Sequence, residues 1–328
     1  MKIFKAAAAG FAALALSIAP FGLAQAQEFP ARTVTMVVPF AAGGPTDTVA
    51  RLVAESMSRS LGQQVIVENV GGAGGTRGAG QVAKATPDGY TVLLHHIGQA
   101  TSATLYRKLP YNVLTDFETV GLVTDVPMTM IGKSTLEPKD AAALIAYVKD
   151  KKDAVIYGNA GVGSASHLCG MLFMSAIGTS VTTVPYQGTG PAMNDLVGGQ
   201  IDLMCDQTTN TTGQIKAGKV KAYGVTTKAR LKSLPDIPTL QEGGLPGFEI
   251  AVWHGMYAPK GTPKAVVDKL NAAVVAALQD PKVIARFADL GTEPVALDRA
   301  TPDVHKAFLA AEVAKWKPII EQAGVFAD

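Results

Sequence analysis

Apolar and polar positions alternate along this chain in a repeating order of short buried strands and amphipathic helices. Residues 34–38 (Val-Thr-Met-Val-Val) read as a buried strand, followed by a loop over residues 40–44. Residues 47–61 then place Val49, Leu52, Val53 and Met57 on one helical face. A strand over residues 64–70, a glycine turn over 71–75, a short helix ending at Val82 and a strand over 90–94 follow. Pro87-Asp88-Gly89 marks the turn before that last strand. The middle repeats the scheme, with helices over 141–148, 166–177 and 191–197. Strands are expected over 155–157, 182–185, 201–205 and 221–225, and a helical tail over 264–278, 281–290 and 302–322. Strands separated by helices of this length predict βαβ units, an α/β fold and mostly parallel sheets. Long apolar stretches near 120–130 and 250–258 are the expected crossings between two lobes. The first lobe is therefore discontinuous, residues 27–125 with 253–328, and the second spans 126–252.

The first 26 residues do not belong to that pattern. Lys2 and Lys5 precede an apolar run from residue 6 to 19, and Ala24-Gln25-Ala26 supplies the small residues of a cleavage site. This layout predicts a secretory signal peptide over residues 1–26 and a periplasmic, unanchored product. The chain carries 29 Lys+Arg against 27 Asp+Glu. Without Lys2 and Lys5 the two signs balance, which argues against nucleic acid and against a polybasic membrane anchor. In an oxidising compartment the two cysteines, Cys169 and Cys205, either bridge or pack as buried thiols, and the sequence leaves both readings open. No spacing suggests a metal site or a cofactor.

Three loops carry the candidate chemistry. Residues 40–45 (Phe-Ala-Ala-Gly-Gly-Pro) and 186–191 (Tyr-Gln-Gly-Thr-Gly-Pro) each put Gly before Pro at an expected helix start. Pro suits the first helical turn, and a Gly cap leaves the free N–H groups open to another acceptor. Residues 160–167 add Ser164, Ser166 and His167 to the same geometry. Helix starts of this kind hold anions through open donors and the positive end of the dipole. No G-x-x-x-x-G-K-[ST] phosphate loop is present, so a carboxylate is the better fit. Ser164 or Ser166 beside His167 raises the alternative of an exported hydrolase, although neither serine lies in G-x-S-x-G. His95 and His96 are consecutive on a strand and face opposite ways, so one of them enters the cleft. Asp206, at the end of its strand, is placed to meet a ligand amine or an ordered water.

These residues, taken together, resemble the Bug family, the periplasmic solute receptors of tripartite tricarboxylate transporters. The resemblance is carried by Val38-Pro39-Phe40 with Gly43-Gly44 and Asp47, Val67-Glu68-Asn69, Pro87-Asp88-Gly89-Tyr90-Thr91 and Leu109-Pro110-Tyr111. It continues through Gly161-x-Gly163-Ser164 with His167-Leu168, Pro185-Tyr186 with Gly188, Gly198-Gly199-Gln200-x-Asp202 and Leu234-Pro235-Asp236. Leu168-Cys169-Gly170 and residues 204–210 are most similar to the aspartate-binding branch. The resemblance implies a two-lobe Venus flytrap of type II topology, each lobe a mostly parallel sheet flanked by helices. It implies binding of one small carboxylate, an acidic amino acid such as aspartate or a di- or tricarboxylate, through backbone N–H groups without an arginine. Carried over, Phe40, Ala42, Gly43, Gly44, Thr46 and Asp47 form the clamp of the first lobe, and His96 and Gln99 line the variable end. Gly161, Gly163, Ser164, Ala165, Ser166, His167, Tyr186, Gly188, Thr189, Asp206 and Gln207 form the opposing wall. The implied partners are the large and small membrane subunits of the transporter, and the receptor itself is expected to be a monomer and no enzyme. A receptor for an ABC importer would share the lobes and differ in its membrane partner.

Overall fold

The computed structural model describes residues 28–327, so the signal peptide expected over residues 1–26 lies outside the described part. The first lobe opens with β1 (Val34–Val38), α1 (Pro45–Leu61), β2 (Val65–Asn69), α2 (Thr76–Ala83), β3 (Thr91–His96) and α3 (Gly98–Leu105). The long β4 (Phe117–Lys133) leaves it. Next come α4 (Ala141–Lys151), β5 (Ile156–Asn159), α5 (Ala165–Ile177), β6 (Thr182–Pro185) and α6 (Thr189–Val197). The second lobe closes with β7 (Leu203–Gln207), α7 (Thr208–Lys216) and β8 (Val220–Val225). The chain returns through β9 (Ala251–Pro259), α8 (Lys264–Gln279), α9 (Pro281–Asp289), β10 (Glu293–Pro294) and α10 (Pro302–Ala323). No helix among the described residues is long and apolar enough to cross a membrane.

Both lobes follow one plan. In the first, β2, β1 and β3 are parallel neighbours, β9 runs antiparallel beside β3, and β4 lies antiparallel to β9. In the second, β6, β5 and β7 are parallel, and β4 runs antiparallel to both β7 and β8. Each lobe thus has mostly parallel strands, with β9 and β10 antiparallel in the first and β4 antiparallel in the second. Strands covered on both faces need continuous apolar side chains. Accordingly Met36, Val37, Val38, Leu93, Leu94 and Met256 are all fully buried.

The single strand β4 serves both sheets, and Pro127 marks the exchange. Up to Pro127 the strand pairs with β9; from Met128 it pairs with β7. A proline cannot donate to a ladder, so it is tolerated where one set of partners ends and another begins. Thr226 stitches the two crossings together: its hydroxyl accepts the Met128 N–H at 3.1 Å and donates to the Ile250 carbonyl at 2.6 Å.

Two helices, α3 and α7, stand where sequence periodicity predicts none. The α7 segment, Thr-Thr-Asn-Thr-Thr-Gly-Gln-Ile-Lys, has no apolar stripe. Thr208, Thr209, Thr211 and Thr212 are nonetheless buried, because the helix is enclosed between lobes and packs through hydroxyl contacts. The helix expected from Pro191 begins earlier, at Thr189 with Gly188 as its cap, so Pro191 sits within the first turn rather than opening it. That position costs nothing, since first-turn N–H groups have no helical partner to lose.

Candidate functional site

A small cavity lies between the lobes. It is walled by Phe40, Pro45, Thr46 and His96 from the first lobe and Ala160, Ser164, Ala165, Ser166, Thr189, Asp206 and Gln207 from the second. The parallel strands deliver all of these, because each wall segment follows the carboxyl end of a strand and opens the next helix. Phe40 and Thr46 follow β1, His96 ends β3, Ser164 to Ser166 follow β5, Thr189 follows β6, and Asp206 and Gln207 end β7.

Three helix starts at this cavity lack a side-chain cap: α1 after Gly44, α6 after Gly188 and α7 after Gln207. Surface helices α4, α9 and α10 contrast with these, being capped by Asp140, Asp280 and Thr301. The third sequence-predicted loop does not share the open geometry. Ser164 caps α5, its hydroxyl accepting the His167 N–H at 3.2 Å, and Ser166 accepts the Ala160 N–H at 2.9 Å. His167 Nδ1 accepts the Gly163 N–H at 3.3 Å, and burial pushes the ring down to about 4. Both hydroxyls therefore organise the loop, and the imidazole is turned to the backbone rather than to a serine.

Other predicted residues brace the wall from behind. Asp47 accepts the Gly43 N–H at 3.0 Å, the Arg51 side chain at 3.0 Å and the Asn69 amide at 3.0 Å. Burial alone would raise its carboxyl, yet Arg51, Gly43 and Asn69 outweigh that and hold it below the usual carboxylate range. Ala42, Gly43 and Gly44 form the loop it braces. Tyr186 donates to Asp195 at 2.7 Å and, with Gly161, lines a groove on the outer rim. Gly163 and Gly188 shape their loops without facing the cavity. Gln99 is fully buried one turn beyond His96, and neither atom of its amide meets a hydrogen-bond partner. Pro45 and Ala160, which sit inside the predicted loops, complete the wall.

His96 is the histidine that enters the cavity. Its ring stacks on Phe40 at 4.6 Å, and Nδ1 accepts the Gly98 N–H at 2.9 Å, which leaves the proton on Nε2. Burial pushes it down to about 3, so it is a neutral donor. His95 packs behind, taking the His96 N–H on Nδ1 at 2.8 Å. Asp206 is 1% exposed, and burial pushes its carboxyl up to about 6 against opposing bonds from Asn210, the Gln207 backbone and Thr189. No lysine or arginine lines the cavity. Among the described residues no group of three or more His, Cys, Asp or Glu is placed to hold a metal ion.

A disulfide joins Cys169 on α5 to Cys205 on β7, with Cα atoms 6.0 Å apart. Tyr157 reinforces the same junction, donating to the Ser166 carbonyl at 2.7 Å and accepting the Cys205 N–H at 3.1 Å. The two cavity segments of the second lobe are thereby fixed to each other.

The lobes are closed. On one flank Ala41 N–H meets the Gln187 carbonyl at 2.9 Å and the Tyr106 hydroxyl meets the Val162 carbonyl at 2.8 Å. On the other, Thr208 and Thr212 donate to the Gly291 and Leu290 carbonyls, each at 3.1 Å.

Residues 49–325 match the family described as Tripartite tricarboxylate transporter family receptor. The chain is similar to an Agrobacterium vitis protein encoded in the TAR-I ttuE-ttuC' intergenic region, 57% identical over 312 residues, covering 95% of this chain and 90% of that one. Among solved structures it is similar to the periplasmic binding protein BugD, with 53% identity, a TM-score of 0.90 and coverage of 92% of this chain and 100% of that one. MatC from Rhodopseudomonas palustris with bound malate gives 42% identity, a TM-score of 0.86 and coverage of 89% and 100%. With strand order, uncapped helix starts and these similarities in agreement, the chain belongs to the receptor family of the tripartite tricarboxylate transporters.

Proposed function

We propose that this protein is a periplasmic receptor that closes two lobes, residues 27–125 with 253–328 and residues 126–252, over one C4 dicarboxylate or acidic amino acid such as aspartate. The closed form would then be read by the large and small membrane subunits of its transporter. The observation that carries this reading is the small cavity between the lobes, walled by uncapped helix starts and free of cationic side chains. Backbone donors at three helix starts suit a small anion, and the neutral Nε2–H of His96 adds a donor without adding a charge. The C4 class is supported by MatC, a similar structure that holds malate, a C4 dicarboxylate. A binding role without turnover is supported by the two serine hydroxyls, each of which accepts a backbone N–H, and by the His167 ring, whose Nδ1 accepts the Gly163 N–H rather than a serine O–H.

Isothermal titration of residues 27–328 with aspartate, malate, succinate and citrate tests the reading. One equivalent of at least one of these acids should bind and be recovered unchanged. Failure of every acid to bind, or consumption of the bound acid, would overturn it.

A further inference from the structure

Asp206 is the one acidic side chain on the cavity wall, and the wall offers it no cation. Its Oδ2 accepts the Asn210 amide at 2.6 Å, and Thr189 and the Gln207 backbone supply further donors. The titratable groups around it are His96 across the cavity, His167 on the adjoining α5 and Tyr157 behind the wall. His96 and His167 are held neutral by burial, and Tyr157 has its hydroxyl engaged between Ser166 and Cys205. The α1, β4, α6 and α7 segments facing it contribute neutral Thr46, Thr129, Thr189 and Asn210. A carboxylate so enclosed has two stable arrangements with a ligand: opposite an ammonium, or protonated and donating to an anion.

We propose that Asp206 couples ligand class to proton uptake: a C4 diacid without an amino group enters together with one proton, held on Asp206, whereas aspartate enters without one. In the first case a diacid dianion, one proton and the Asp206 carboxylate give a neutral Asp206 carboxyl whose O–H donates to a ligand carboxylate. In the second the ligand ammonium faces the ionised carboxylate, and the proton count is unchanged. Two carboxylates sharing one dry site cannot both stay ionised cheaply, so the ligand raises a group that burial has already raised. An O–H to carboxylate bond is also among the stronger hydrogen bonds available there.

The inference rests on the carboxylate-receptor reading and is separable from it. Calorimetry of the wild-type protein with succinate and with aspartate, each in two buffers of different ionisation enthalpy at pH 7.5, counts the protons. One proton should be taken up per succinate and none per aspartate. Succinate affinity should then fall about tenfold per pH unit above neutrality while aspartate affinity stays flat. Asp206→Asn should abolish the uptake and the slope, retain succinate and weaken aspartate at least tenfold. Succinate binding without proton uptake overturns the inference and leaves the receptor reading standing. Uptake that persists in Asp206→Asn also overturns it, because the proton would then sit on His96 or His167. If no acid binds, both readings fall together.

Discussion

Asp47 and Asp206 are both buried carboxylates at the cleft, and their surroundings send them in opposite directions. Asp47 gathers the Gly43 amide, Arg51 and Asn69, so its charged form is favoured and the loop before α1 is fixed. Its folded carboxyl lies below the unfolded value, so its contribution is present above the ordinary carboxylate range and is lost as pH falls through the folded value. Asp47→Ala should cost about 1–3 kcal/mol in urea denaturation at pH 7 and weaken every ligand, since the released Gly43 N–H leaves the loop unanchored. An unchanged denaturation midpoint would show that the loop is held by other contacts. Asp206 lies above its unfolded value, at about 6, and so opposes folding at neutral pH. Asp206→Asn should therefore raise the stability of the ligand-free protein at pH 7.5 by up to about 3 kcal/mol. A destabilised variant would mean that Asn210 and Thr189 repay the burial of the charge in full.

Closure depends on contacts between elements. A Cβ on Gly190, in the first turn of α6, would lie 2.8 Å from the Ala42 carbonyl oxygen and 3.0 Å from the Gly44 nitrogen, all backbone of the opposite lobe. The same Cβ is welcome in a free helix. Gly190→Ala should therefore lower affinity at least tenfold for all ligands alike while leaving the ligand-free melting temperature unchanged, as measured by titration and thermal melts. A selective loss for one ligand would place the effect at the cavity instead. The disulfide acts between elements too. Cys169 and Cys205 enclose a sequence separation of 36, and replacing both by Ala should cost about 2–4 kcal/mol of stability.

Elements were legible where burial is one-sided or complete. The run from Val34 to Val38 and the face of Val49, Leu52, Val53 and Met57 announce β1 and α1. The threonine-built α7 was invisible because its burial uses hydroxyls rather than apolar periodicity. The glycine loops lead to the cavity between the lobes. They could not distinguish Thr46 and Thr189, which face the cavity, from Asp47 and Tyr186, which hold loops in place. That choice depends on side-chain direction, and it is fixed by partners such as Asn69 and Asp195 that lie far away or on another turn.

At the scale of the whole molecule the five histidines act together. His95, His96, His167, His254 and His305 all lie in the dry interior, and burial lowers each below its ordinary value, His96 and His305 to about 3 and His167 to about 4. The native protein refuses protons that the unfolded chain accepts below about pH 6.5. Stability from these groups is therefore complete above that pH and declines as pH falls toward the folded values. Asp206 runs the other way, since between its unfolded value of 3.8 and about 6 the native state holds the extra proton. Five imidazoles gained against one carboxyl proton released leave unfolding with a net uptake of about four protons near pH 5. Urea denaturation at half-unit steps from pH 7.5 to 4.5 measures this slope directly. It should be flat above pH 7 and steepen through pH 6, with His305→Phe, remote from the cleft against Trp253 and Tyr257, reducing it by about one proton while leaving ligand affinity in place. A denaturation free energy independent of pH between 6 and 5 would mean that the buried imidazoles find protons, or partners for them, inside the folded protein.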